Sequence, residues 1–158
     1  MWLNAHRALR VPCQNRTVLS SQPTRKLAIV TCMDCRIDVL AGFDLALGDA
    51  HVLRNAGGLV TDDVLRSLAI SQHKLGTTRI AVMHHTNCGM AGFDDVQFRH
   101  ELADTGTTPA WDVPGFSDVE QQVRESVAAI KACPWLPHRD DVRGYVYDVG
   151  TGEVQATI

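Results

Sequence analysis

Four short apolar runs set the strongest limit on how this chain can fold. LAIVT (27–31), RIAVMH (79–84) and GYVYDV (144–149) are rich in β-branched or aromatic residues, and HVLR (51–54) is a weaker run of the same kind. Runs that are nearly continuously apolar suit a sheet covered on both faces. Helical patterns lie between them. After NAGG (55–58), Thr61, Asp62 and Asp63 place capping oxygens and negative charge at a helix start. Val64, Leu65, Leu68, Ala69 and Leu75 then fall near one face, and Gly76 stops the run. A second helix is predicted over 117–132, where Ser117 with Glu120 reads as a capping box. Its stripe is Val119, Val123, Val127 and Ile130, and Pro134 ends it. Residues 33–50 are read as partly helical, and 104–116 as a loop rich in turn residues. Strands alternating with helices predict an α/β domain with a central, mainly parallel β-sheet flanked by helices. Right-handed crossovers would line up the carboxyl ends of the strands along one edge, where such sheets bind ligands.

At 158 residues the chain is read as one α/β domain over 26–158, preceded by an arm over 1–25. From Met1 to Met33 there is no acidic residue, while Arg7, Arg10, Arg16, Arg25 and Lys26 are basic. The arm is expected to be poorly ordered or to wrap a partner subunit; a transit peptide is the alternative. A net charge of -3 gives no reason to expect a nucleic-acid partner. No apolar run approaches the roughly 18 residues of a membrane span. Five cysteines, at 13, 32, 35, 88 and 133, are an odd number in a chain long enough to fold without disulfides. They favour a reducing, cytoplasmic location with some thiols used for metal or chemistry.

The chemistry concentrates after two of the strands. TCMDCRID (31–38) follows the first and HHTNCGM (84–90) the third, so both motifs fall on the same sheet edge. Cys32, His85 and Cys88 offer two thiolates and an imidazole, donors that Zn2+ takes at about 2.0–2.3 Å. Three protein ligands leave a fourth position for water, as catalytic zinc sites do. Asp34 and Arg36 follow Cys32 at two and four residues. The carboxylate can accept a hydrogen bond from zinc-bound hydroxide, and the guanidinium can keep it ionised and oriented. If the pair separated, Asp34 could instead reach the metal and switch the enzyme off.

C-x-D-x-R followed by H-x-x-C resembles β-class carbonic anhydrases; here it reads Cys32-Met33-Asp34-Cys35-Arg36 and His85-Thr86-Asn87-Cys88. HVLRNAGGLVTDDVLRSLAIS (51–71) and HHTNCGM are also similar to that family, particularly to its compact bacterial members, and the similarity runs from about Lys26 to near the C-terminus. The resemblance implies a parallel sheet, zinc on Cys32, His85 and Cys88, and an Asp34–Arg36 dyad. It also implies a homodimer or dimer of dimers with sites built at the subunit interface. The implied reaction is reversible hydration of CO2 to bicarbonate by attack of zinc-bound hydroxide. Relatives that hydrolyse carbonyl sulfide or carbon disulfide make that chemistry the alternative.

Residue 35, usually Ser or Ala in this pattern, is Cys here, and it opens two further readings. Cys32, Cys35, His85 and Cys88 could form a closed Cys3His structural zinc module without catalysis. Cys32 and Cys35 could instead form a redox C-x-x-C pair at a helix start. The remaining signals are read as structural. His84 is a packing or hydrogen-bonding residue, and His51, His73, His100 and His138 are surface or satisfied histidines. Trp111 and Phe116 anchor a loop, and Gly57, Gly58 and Gly89 serve backbone geometry. Arg54 and Asn55 support a subunit contact or a pocket, with no chemical role assigned.

Overall fold

The computed structural model describes residues 19–158. Residues 1–18, which hold most of the expected arm together with Cys13, lie outside the described residues. Residues 24 and 25 are tied down: the Thr24 and Arg25 amides donate to the carbonyls of Gly48 and Asp49 at 3.0 and 3.1 Å.

Five strands form one sheet: β1 (Leu27–Cys32), β2 (Ala50–Asn55), β3 (Arg79–His85), β4 (Val142–Tyr147) and β5 (Val154–Ala156). Their spatial order is β2-β1-β3-β4-β5. The first four are mutually parallel, and β5 adds an antiparallel edge on β4. The four runs legible in the sequence are therefore the parallel strands. The three-residue β5 was not anticipated, because so short a segment carries no periodic signal.

Among the described residues, four α-helices accompany the sheet: α1 (Val39–Gly42), α2 (Asp62–Leu75), α3 (Asp95–Ala103) and α4 (Val119–Ala132). Thr61 caps α2 by accepting from the Val64 amide, and Gly76 closes it in the left-handed conformation at φ 76°. The start of α4 differs from expectation. Asp118, not Ser117, is the N-cap and accepts from the Gln121 amide. A carboxylate there both satisfies an orphan N–H and meets the positive end of the helix dipole, which gives it the advantage over a hydroxyl.

Helices α2 and α4 cover one face of the sheet. Val64 and Leu68 of α2 and Val123, Val127 and Ile130 of α4 bury themselves against Ala28, Val30, Ile80, Val82 and Val142. The opposite face is covered by Ile37, Val39, Phe43 and Met90, from α1 and the loops, packed on Ile29, Ala81, Met83 and Tyr147. Both faces of the inner strands are thus dry, as their continuous apolar character requires. None of the helices is long and apolar enough to cross a membrane, among the described residues.

Candidate metal centre

Strands β1 and β3 are parallel neighbours, with Thr31 opposite Met83. Cys32 and His85 are their last residues, so the register delivers both side chains to one point on the carboxyl edge. The tight turn after β3, with Asn87 in the left-handed region at φ 53°, returns Cys88 to the same point. The ligand atoms of Cys32, His85 and Cys88 all lie within 4.8 Å of one another, and all three residues are buried.

His85 is oriented for ligation. One ring nitrogen, Nδ1, lies 2.9 Å from the Thr86 carbonyl, which can only accept, so Nδ1 carries the proton. The other, Nε2, is buried without a hydrogen-bond partner among the described residues. A buried acceptor without a partner carries a desolvation penalty that a bound cation would remove. Anchoring of the far nitrogen to a carbonyl is the usual arrangement for a metal-binding histidine.

The two thiols are not equivalent. Burial raises the Cys32 pKa, but the His85 imidazole and hydrogen bonds from the Asp34 and Gly57 backbone outweigh it and bring the value from 9.0 to about 7. Burial and the adjacent Cys32 push Cys88 upward. The pair is arranged so that Cys32 ionises first. A donor set of two sulfurs and one neutral imidazole suits a borderline-soft divalent ion.

Asp34 and Arg36 stand beside this cluster as a closed pair. Arg36 Nε donates to Asp34 Oδ1 at 2.9 Å and Nη2 to Oδ2 at 2.6 Å, while the Arg36 amide adds a third bond to Oδ1 at 2.9 Å. These bonds hold the Asp34 carboxyl well below the usual carboxylate range. Nη2 also donates to the Asn87 carbonyl at 3.0 Å, which links the dyad to the loop carrying Cys88. Asp34 Oδ2 lies 3.9 Å from His85 Nε2, which places the carboxylate beside the Cys2His group.

All five residues singled out in the sequence therefore meet at one place. Cys35 is exposed and outside the metal-holding group, so the geometry gives no support to the closed Cys3His arrangement. His84 is buried between Gly57 and Ser126 and faces away from the cluster, as a structural histidine should. Gly57 and Gly58 do serve backbone geometry, at φ 74° and 68°, and a Cβ on Gly58 would come within 2.9 Å of the Cys32 nitrogen. Gly89 does not: a Cβ there would meet nothing within 4 Å.

Arg54 is the residue whose part the sequence did not reveal. Its guanidinium donates to the carbonyls of Cys32 at 2.9 Å, Asp34 at 2.6 Å and Ile37 at 3.4 Å. One side chain from β2 thus fixes the loop that carries Cys32, Asp34 and Arg36. The only advance signal is its position at the end of the weaker apolar run 51–54, just before NAGG.

A family model described as Carbonic anhydrase matches residues 27–112. Over 137 residues the chain is 45% identical to Beta-carbonic anhydrase 1 of Mycobacterium tuberculosis (strain H37Rv), covering 86% of this chain and 84% of that protein. This chain belongs to the β-carbonic anhydrase family. The crystal structure of carbonic anhydrase from Streptococcus mutans matches it with a TM-score of 0.86 and 45% identity, covering 94% of this chain and 90% of that one. The family also reaches a carbon disulfide hydrolase of Acidithiobacillus thiooxidans, 31% identical over 153 residues, which covers 83% of this chain and 76% of that protein. As a β-carbonic-anhydrase-type enzyme, the chain carries its Cys2His group at the sheet edge where α/β proteins bind their ligands.

Proposed function

We propose that this protein is a zinc-dependent lyase that interconverts CO2 and bicarbonate, with Cys32, His85 and Cys88 holding the metal and Asp34 orienting the reacting water. The observation that carries this reading is the buried Cys32–His85–Cys88 cluster, with its unpartnered His85 Nε2 3.9 Å from the Asp34 carboxylate. Zinc bound there would supply the Lewis acidity that lowers the pKa of water from about 15.7 toward about 7.

The chain's own residues do the rest. Asp34, kept ionised by Arg36, can only accept a hydrogen bond. It therefore selects the orientation in which the attacking oxygen points its proton at Oδ2 and a lone pair at the carbon of CO2. Arg36 engages both carboxylate oxygens, so Asp34 cannot swing freely toward the metal ligands. Arg54, through the Cys32 and Asp34 carbonyls, keeps ligand and acceptor in one frame.

Metal analysis and stopped-flow CO2 hydration test this reading. The wild type should carry about one zinc per chain and be active. Cys88→Ser should lose both metal and rate, while Asp34→Asn should retain zinc and lose on the order of 10–100-fold in kcat. Full zinc and full rate in Cys88→Ser would refute the ligand assignment.

A second reading, hydrolysis of carbonyl sulfide or carbon disulfide by the same residues, is favoured by the similarity to the carbon disulfide hydrolase. Side-by-side rates on CO2 and carbonyl sulfide separate the two. We further propose that the working unit is a homodimer. Strand β2 is a sheet edge, and a cleft of about 510 Å3 lined by Arg36, Val39, Leu47, Val52 and Arg54 runs alongside the dyad. Leu47 is 69% exposed there, a large apolar side chain that a second subunit would cover.

A further inference from the structure

His84 is a fully buried, polar side chain next to a metal-binding residue, and nothing in the reaction uses it. It belongs to β3, where successive side chains point to opposite faces of the sheet. His85 therefore reaches the metal group, while His84 points the other way, into the layer beneath α4. There its Nδ1 lies 2.8 Å from the Gly57 carbonyl and its Nε2 3.0 Å from Ser126 Oγ. Phe116 packs edge-on against the ring, with centroids 5.9 Å apart.

The partners fix the tautomer. A carbonyl can only accept, so Nδ1 must carry the proton, and Nε2 must accept from the Ser126 hydroxyl. Gln122 Nε2 donates in turn to Ser126 Oγ at 3.4 Å. The contacts continue toward the metal group, because the Gly57–Gly58 turn packs directly on the backbone of Thr31 and Cys32. The Gly57–Gly58 turn is seated without slack. A Cβ on Gly57 would lie 3.0 Å from Met90, and one on Gly58 2.9 Å from the Cys32 nitrogen. Gly57 has φ 74° and ψ -6°, a left-handed turn, so holding its carbonyl holds the turn.

We propose that His84 is a positioning residue for Cys32: by anchoring the Gly57 carbonyl, it keeps the Gly57–Gly58 turn seated against the Cys32 backbone and so fixes where the sulfur stands. It acts through Gly57 and touches neither metal nor substrate. This deepens the proposed function and rests on Cys32 being a metal ligand. Contacts behind a ligand that fix where its donor atom stands influence metal affinity.

Two amide variants isolate the contact. In His84→Asn the side-chain NH2 stands near the place of Nδ1 and can still donate to Gly57. In His84→Gln it stands near Nε2, so the Ser126 contact can persist while the Gly57 contact is lost. Zinc affinity, measured by competition with a chromophoric chelator, should fall about tenfold in His84→Gln and His84→Leu and stay within about threefold of wild type in His84→Asn. The thiolate charge-transfer bands of the cobalt-substituted protein should shift in the first two variants and not in the third. Equal affinities and spectra in all three variants would overturn the proposal, whether they match wild type or are equally impaired. Should the variants fail to fold, 15N NMR of the wild-type imidazole decides: the Nδ1–H tautomer is expected, and the Nε2–H tautomer contradicts the account. A wild type that binds no zinc would defeat the metal reading instead, while the tautomer result would stand.

Discussion

At the scale of single residues, two electrostatic features govern how this site would respond to pH. Asp34 has its folded-state pKa depressed, chiefly by its bonds to Arg36. A depressed carboxylate stabilises the fold above its ordinary pKa, near 4, and that stabilisation is lost only as the pH falls toward the folded value. Asp34 thus stays ionised throughout the neutral range, and no change in rate between pH 6 and 9 can come from its protonation. The second is the proposed ligand set. Two thiolates cancel the formal charge of Zn2+, whereas three neutral imidazoles would leave it whole, so water bound by this set is acidified less strongly. Activity should therefore rise through the mildly alkaline range, as followed by stopped-flow rates from pH 6 to 9. A flat profile would contradict the assignment of both cysteines as ligands.

At the scale of elements, the parallel register of β1 and β3 assembles the site, and Arg54 joins β2 to it. That link was illegible in the sequence because it depends on β2 lying beside β1, with Thr31 opposite Arg54. The strand-end motifs were legible because each is local: Cys32, His85 and Cys88 sit where an apolar run stops. Helix α2 was legible for a similar reason, since its apolar stripe, cap and terminating glycine agree. Helix α3 was not, because it has no buried residue among its nine and so no stripe to read. If Arg54 is the clamp described, its forked guanidinium is essential and a lysine cannot span three carbonyls. Arg54→Lys should keep the fold by circular dichroism yet lose roughly tenfold in kcat/KM, or about 1.4 kcal/mol of transition-state stabilisation. An Arg54→Lys enzyme with the wild-type rate would show that the three carbonyls need no common donor.

At the scale of the whole molecule, the domain folds around its sheet, and among the described residues nothing covers the flank of β2 beside the dyad. Exposed Leu47 and Val52 and the cleft next to Arg36 are consistent with a surface completed by a second copy. Specific activity should then fall on dilution in step with the loss of dimer seen by light scattering, and a fully active dilute monomer would oppose this. The central claim is narrower: two sulfurs and one imidazole hold the metal while Cys35 stays off it. X-ray absorption at the zinc edge of the purified protein tests that directly. The account predicts two sulfurs at about 2.3 Å and two nitrogen or oxygen donors at about 2.0–2.1 Å, unchanged in Cys35→Ser. A first shell of three sulfurs that drops to two in Cys35→Ser would contradict it.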